Sequence, residues 1–478
     1  LKAYLLYVQA NQINAIMPSN APLGDAQVTV TYNGIIGAAA TVTIVKVAFG
    51  INSSAYGPGP GIIKNYDGSS NPPLNSASNS AKPGQVEIVV GTGLGPITTP
   101  DNQSPPAGAP TTPVQVVVGG IPANIAYSGR APGNAGQDQI NFTVPANAPL
   151  GCSVPVQIST GGTWSNTVRM AISSDGKHCQ DTFNPYSGLS TTGGKSATLG
   201  LIRVNFSGQV DPTQPPTTAQ LDLGLGAFAL TNPGTDFTYS PITNLPPPGT
   251  CASSNKMLDL GAMMGTGGSS LDPTIAAALD AGAQLTVTGG AGGATGTLSR
   301  DSDEGPNAPY MGLLGGILNV SGATLPPPFL DGGPFTISNG TGGKDVGPFS
   351  TTVAAPPVIN WTNPPSTINR SSPLTLTWNG GDSTEMVLIL GGSSDQTSKA
   401  SGGFVCLAPA TARTFTVPVN ALADLIPTGA ATSSNGPVGM LGLMPLQPSN
   451  MQLKPPPKGL DVGVAFETTM TVETVQVQ

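Results

Sequence analysis

Charge is the scarcest property of this sequence. Only 9% of its 478 residues are Asp, Glu, Lys or Arg, against about 25% in an ordinary soluble protein. Disorder usually couples few apolar residues to high charge, so this chain has too little charge for it. The net charge is −8 and the pI about 4.6, which argues against nucleic acid, a ligand that needs a basic footprint. One histidine, His178, is present, so multi-histidine metal sites are excluded and any Ser-His-Asp triad would have to use it. No apolar run approaches the ~20 residues that span a bilayer. The longest, Met311 to Val320, is interrupted by three glycines and an asparagine. Residue 1 is Leu and no signal peptide is visible; the start is expected to be processed, cropped or incomplete.

Glycine and proline are abundant: 64 and 49 residues, together about twice the usual share. Hydrophobic residues make up 38% and fall in short alternating runs between Gly, Pro and Asn turns. Period-two alternation with such punctuation predicts antiparallel sheet. The expected fold class is all-β, a series of antiparallel Ig-like β-sandwich domains, three or four by length.

There are four cysteines and no CxxC pair. An even count of this kind fits disulfides better than zinc or redox chemistry. Cys152 and Cys179 bracket an expected strand pair, 154–159 and 165–172, and are expected to bridge. Cys251 and Cys406 would then join two domains, the alternative being two buried free thiols. Disulfides imply secretion and an extracellular or cell-surface location.

An internal repeat organises the first part of the chain. Gln12 to Gly24 reappears as Gln139 to Gly151, with nine of thirteen positions identical. Two alternating strands follow each copy. The second copy has about 55 residues of strand-rich sequence before its Gln-Ile-Asn, the first only eleven. The first copy is therefore expected to lack counterparts of 85–90, 114–118 and 123–127. The expected organisation is an incomplete Ig-like domain over 1–48, a connecting hairpin and loop over 49–84, an Ig-like domain over 85–174, a linker over 175–197, a Gly/Pro-rich β domain over 198–354 and an Ig-like sandwich over 355–478. A short helix is expected at 420–426, capped by Asn420 and stopped by Pro427.

The run Lys82-Pro83-Gly84-Gln85-Val86-Glu87-Ile88-Val89-Val90-Gly91-Thr92-Gly93-Leu94-Gly95-Pro96 resembles the opening of immunoglobulin-like IPT/TIG domains. With Leu6-Tyr7-Val8 followed by Gln12-Ile13-Asn14, residues 1–174 resemble the paired Ig-like module of uncharacterised secreted proteins abundant in acidobacteria. Residues 198–478 are similar, less specifically, to a β-rich C-terminal extension of some members, in which Cys251, Trp361-Thr362-Asn363, Trp378 and Cys406 occupy similar places. The resemblance brings no assigned activity and no catalytic residues. This sequence departs from the pattern by starting inside the first Ig-like unit.

Candidate chemistry is sparse. Gly91-x-Gly93-x-Gly95 follows an expected strand, but Pro96 and a loop follow it instead of the helix a dinucleotide site requires. Asp301, Asp303 and Asn307 alternate oxygen ligands around a glycine as a calcium loop does. No acid stands at the distance that closes such a loop, so a solvated turn is the preferred reading. Trp164, Trp361 and Trp378 are candidates for a sugar-stacking platform. Only five glutamates are present, leaving few carboxylate pairs for glycosidase-type chemistry. No catalytic residue, cofactor or resident metal is expected. The expected role is a non-enzymatic extracellular structural protein, self-assembling as a homopolymer into a surface fibre, filament or layer. Strand donation between chains is the expected joint, with the C-terminal segment carrying Val472, Val475 and Val477 as donor. The alternative is a secreted adhesin or carbohydrate-binding module.

Overall fold

The computed structural model describes residues 1–478 apart from 55–58, 104–111, 182, 188, 210–215, 234–244, 256–274, 291–292, 301–308, 320–323, 396–397 and 429–436. The chain is all-β. Its described helices are single turns, at Leu189–Thr192, Val419–Leu422 and Pro448–Met451, with one 3-10 turn at Ala410–Ala412. The helix expected at 420–426 is thus one turn at 419–422. Pro418, not Asn420, stands before it, and no side chain caps it.

The first unit is built from β1 (Tyr4–Val8), β2 (Ile13–Ile16), β3 (Gly24–Val28), β4 (Thr31–Tyr32), β5 (Ile35–Ile36) and β6 (Ala40–Ile44). The strand expected over 26–32 is split in two between β3 and β4. The second unit contains β7 (Gly50–Ile51), β8 (Ile63–Asn65), β9 (Val86–Thr92), β10 (Val114–Val118), β11 (Ile121–Arg130), β12 (Asp138–Thr143), β13 (Gly151–Thr160), β14 (Thr163–Trp164) and β15 (Val168–Ile172). These nine strands run in the order β14-β13-β10-β11-β12-β9-β7, with β15 on β13 and β8 on β9. Strand β11 pairs β10 through residues 121–123 and β12 through 124–130, so it links the two layers of the sandwich.

Segment 49–84 is not a connector. Phe49, Ile51, Ile63 and Ala81 are core residues of the second unit, beside Val89, Ile140, Phe142, Val156 and Ile158. Both β7 and β8 pair with β9. Segment 175–197 is not a free linker either. Asp181 accepts a hydrogen bond from the Cys152 backbone (2.8 Å), Tyr186 is buried with its hydroxyl on the Ala197 carbonyl (2.9 Å), and the next strand begins at Gly194.

The rest of the chain supplies β16 (Gly194–Gly208), β17 (Thr217–Thr231), β18 (Thr250–Ser254), β19 (Ile275–Ala278), β20 (Gln284–Gly289), β21 (Ala294–Arg300), β22 (Tyr310–Leu318), β23 (Phe335–Ser338), β24 (Ser350–Val353), β25 (Ile359–Trp361), β26 (Thr367–Ile368), β27 (Leu374–Gly380), β28 (Met386–Asp395), β29 (Ala400–Pro409), β30 (Thr414–Val417), β31 (Val438–Leu446) and β32 (Val462–Val477). The boundary expected at 354/355 is not a break in the sheet. One fourteen-stranded sheet runs β18-β29-β28-β31-β32-β16-β17-β22-β21-β20-β23-β24, and a small sheet β25-β27-β30 lies apart from it. Pairing is antiparallel except for β16 on β32 and β26 on β32, which are parallel.

Strand β32 serves four apolar clusters. Val464 and Ala465 belong to two of them, Met470 and Val472 to a third, and Val475 and Val477 to the one holding Trp378. The phase of burial slips by one residue between Val472 and Val475, which moves the apolar set to the opposite face. The strand therefore packs two layers of its own chain. Val472, Val475 and Val477 are 3%, 5% and 1% exposed, so the expected donor strand is a core element at home. Donating it would leave its own cores open.

Both disulfides are formed. Cys152 bridges Cys179 with Cα atoms 5.3 Å apart, and Cys251 bridges Cys406 at 4.0 Å. Cys251 and Cys406 stand directly opposite in the β18–β29 ladder. The second bridge thus staples an edge strand from the third region to the sheet of the fourth.

Candidate functional site

The two copies of the repeat fold alike, strand for strand. In the second, Ile125 pairs Phe142, a bulge follows, then Tyr127 pairs Asn141 and Ser128 pairs Ile140. In the first, Leu5 pairs Ala15, the same bulge follows, then Tyr7 pairs Asn14 and Val8 pairs Ile13. The counterpart of 123–127, expected to be missing, is therefore present as β1. Gln12 donates to Asn14 (2.9 Å), as Gln139 does to Asn141 (2.9 Å). This explains the Gln-Ile-Asn motif: the polar pair locks one face of the strand while Ile points to the other. Hairpin β4–β5 turns at Asn33-Gly34 (φ 49° and 80°), and β13–β14 turns at Gly161-Gly162 (φ 57° and 88°). Positive φ at both turn positions is what Asn-Gly and Gly-Gly supply.

The environments of the copies differ. Ile140, Phe142, Val144, Val156 and Ile158 are each 0% exposed. At the matching positions Ile13 is 41% exposed, Met17 48%, Val28 42% and Val30 50%, and Ala15 is exposed. Of the 22 large apolar side chains exposed among the described residues, 15 lie in residues 1–45. That concentration marks a surface that needs a partner, since scattered exposure would not.

Sheet β3–β6 has two unlike faces. Asp25 accepts from Thr43 (2.6 Å) and Gln27 donates to Thr41 (2.8 Å) on one. Ala26, Val28 and Val30 alternate with these residues and present the other face. In the second unit the matching apolar face is closed by β9, β10 and the 49–84 segment. Strand β10 pairs Val118 with Val156 and Val116 with Ile158, and β9 covers the outer edge of β12. Among the described residues no strand pairs with the outer edge of β2, or with the edge of Val28–Tyr32 where β10 would lie. Two-stranded ribbons are marginally stable in water by themselves. The first unit is half a sandwich with its inner face uncovered.

This unit is fixed to the second. Ser19 donates its backbone N–H (2.8 Å) and its hydroxyl (2.5 Å) to Asp101 and accepts from the Ile97 backbone (2.9 Å). The glycine-rich turn at 91–95 serves this entry to the second unit. The Ala48 backbone donates to the Gly93 carbonyl (3.1 Å). The buried pair Arg130–Asp138 ties down the Leu94 backbone and the Gly95 carbonyl. The turn packs against protein, as a sandwich corner does. At the far end of the second unit, Gln157 exchanges hydrogen bonds with Asn420 (2.7 and 3.1 Å), and Thr167 and Asp424 meet at Ser253 (both 2.7 Å). Desolvation raises the Asp424 carboxyl above its usual range.

The other candidates are dispersed. Trp378 is 1% exposed, its indole N–H on the Ala410 carbonyl (2.8 Å). Trp361 is its half-buried cross-strand neighbour, and Trp164 lies on a hairpin of the second unit. The structure does not assemble the three into one platform. Asp301, Asp303 and Asn307 lie outside the described residues. Among the described residues no cluster of His, Cys, Asp or Glu could hold a metal ion, and no helix is long and apolar enough to cross a membrane. His178 is exposed.

Sequence reasoning missed one charged cluster. Arg203 grips Asp222 through two bonds (2.7 and 2.8 Å) and Asp331 through a third (2.6 Å). Asp222 also accepts from the Phe329 and Leu330 backbones (2.6 and 2.9 Å), so its oxygens are taken up in pinning a loop. Glu467 lies beside this cluster, and burial, partly offset by Arg203, pushes its carboxyl up to about 7. Alternation alone could not reveal the group, because its members come from four distant segments.

No protein-family model matches the chain, and no curated protein matches it. Among solved structures, the I67–I69 I-band fragment of titin is 8% identical over 85% of this chain and 97% of its own, with a TM-score of 0.12. Latent PorU from Porphyromonas gingivalis is 10% identical over 88% of this chain and 34% of its own, with a TM-score of 0.15. Escherichia coli alpha-2-macroglobulin is 8% identical over 84% and 43%, with a TM-score of 0.16. Likenesses this slight carry no argument about function.

Proposed function

We propose that the protein is a non-enzymatic extracellular structural subunit that self-assembles into a surface fibre, filament or layer, joining through its first Ig-like unit. One observation carries this reading: residues 1–45 hold an uncovered apolar face whose twin, in the same chain, is a sealed core. Open strand edges beside apolar faces are templates for pairing with another chain. The low charge of the chain, 9%, lets copies pack densely with little repulsion. Two disulfides suit an oxidising compartment. The resemblance to secreted paired Ig-like proteins points the same way. Because the C-terminal strand is a core element of its own chain, the joint does not depend on donating it.

The test is electron microscopy and light scattering of native material, beside the double variant Val28→Asp, Val30→Asp. Polymers that vanish in the variant, with its disulfide-bonded remainder still folded, support the reading. A native protein that stays monomeric at every concentration and binds a glycan would overturn it.

A further inference from the structure

The second unit supplies a template for what the first unit binds. Strand β13 carries β10 along its edge, with Val114 opposite Thr160, Val116 opposite Ile158 and Val118 opposite Val156, antiparallel. Val116 and Val118 are both 0% exposed. The first unit repeats the receiving edge. Its register with the neighbouring strand matches: Ala26 pairs Val42 as Val154 pairs Met170, and Gly24 pairs Ile44 as Gly151 pairs Ile172. The Val30 carbonyl accepts from Gly37 (2.8 Å) as the Ile158 carbonyl accepts from Ser165 (2.8 Å). Val28, Val30 and Tyr32 therefore stand where Val156, Ile158 and Thr160 stand.

We propose that the edge of residues 28–32 is an acceptor slot for one extended, uncharged peptide strand from another polypeptide chain, seated antiparallel as β10 is on β13. This rests on the assembly reading above and names the chemistry of its joint. Backbone amides and carbonyls of the incoming strand complete the ladder. Alternate side chains of the strand cover the apolar face. The strand carries β-branched residues at alternate positions, as Val-Gln-Val-Val-Val does in β10. It has no proline inside the paired span, because each N–H facing the slot is needed. Charge plays no part in its selection: the only charged side chains in residues 1–45 are Lys2 and Asp25. Asp25 belongs to the opposite, polar face, bonded to Thr43.

The chain itself provides the probe. A synthetic peptide of residues 112–120, with cysteine placed at the position of Val116, is offered to the full chain bearing Val30→Cys under mild oxidation. The expected result is a disulfide-linked adduct, and protection of the amides of residues 28–32 from hydrogen exchange. Cysteine at the position of Val117, which projects to the other face, is expected to link at least tenfold more slowly. Equal trapping from the two positions, or none, overturns the slot. Amides already protected in the dispersed chain overturn it too, because its own residues then fill the edge. If native material polymerises while the peptide neither binds nor competes, the slot fails and assembly stands. If the peptide binds in register to a protein that never polymerises, the slot stands and the assembly reading fails.

Discussion

The first and second Ig-like units share a motif, a bulge and a hairpin register, yet one has a core and the other has a face. Ile13 and Ile140 occupy the same place in the same Gln-Ile-Asn motif, at 41% and 0% exposure. The difference lies in what covers them. Strands β9 and β10 and the Phe49–Ala81 segment supply half of the second unit's core. Asp25 follows Gly24 where Cys152 follows Gly151, so the second unit is also stapled and the first is not. The same local sequence thus specifies strands and register in both units, while stability depends on the non-local half. In this protein that half is supplied to only one copy by the described residues.

The widest gap between the copies is expected from matched truncations. Ile140→Ala should destabilise the second unit by about 2–5 kcal/mol, as cavity-forming core changes do. Ile13→Ala should cost dispersed protein less than about 0.5 kcal/mol, because its side chain is already in water. Paired denaturation curves measure both. Equal costs would mean that the first copy is sealed in solution.

The next largest effect concerns the staple. Replacing Cys152 and Cys179 by serine opens a loop of 27 residues, worth about 3–4 kcal/mol on the chain-entropy account. Thermal unfolding followed by amide exchange should place that loss in the second unit, with the first unit unchanged.

A third contrast comes from Glu87 on β9, the strand without a counterpart in the first copy. Its side chain is 0% exposed, and neither of its carboxyl oxygens has a hydrogen-bond partner among the described residues. Burial pushes its carboxyl up to about 9 from the ordinary 4.5. Between those values the folded state holds more protons than the unfolded state. Stability is therefore full below pH 4.5 and falls as pH rises towards 9, by up to about 1.4 kcal/mol per unit. At pH 7 the loss is about 3 kcal/mol. Glu87→Gln should flatten that slope in urea titrations run at pH 5, 7 and 9. A variant with an unchanged slope would contradict the assignment.

The smallest contrast is the polar lock. Asn141→Ala and Asn14→Ala each remove one side-chain hydrogen bond, worth about 0.5–1.5 kcal/mol. The half-buried lock of the second unit should lie at the upper end and the exposed one near zero.

Much of this architecture was legible in the chain. Alternation placed β10 and β30 to the residue, and the even cysteine count led to both bridges. The repeat located the twin units. Other features were not legible, for stated reasons. Tyr4–Val8 was overlooked as a counterpart of β11 because the turn after it is seven residues shorter than its twin, which hides the match from a fixed offset. Segment 49–84 was read as a connector because its loops outweigh two strands of two and three residues. The phase slip near Val475 was visible, but a strand leaving its sheet and a strand changing the layer it packs against give the same pattern. Only the partners of β32 distinguish them. The cluster of Arg203, Asp222, Asp331 and Glu467 depends on long-range pairing that no local pattern encodes.

The central claim is that the first unit becomes a closed sandwich when chains join. Residue-resolved amide exchange on dispersed and assembled protein tests it most directly. The account predicts that the amides of residues 28–32 exchange freely in the dispersed chain and reach the protection of residues 156–160 on assembly. Assembled protein in which residues 28–32 still exchange as fast as in the dispersed chain would contradict it.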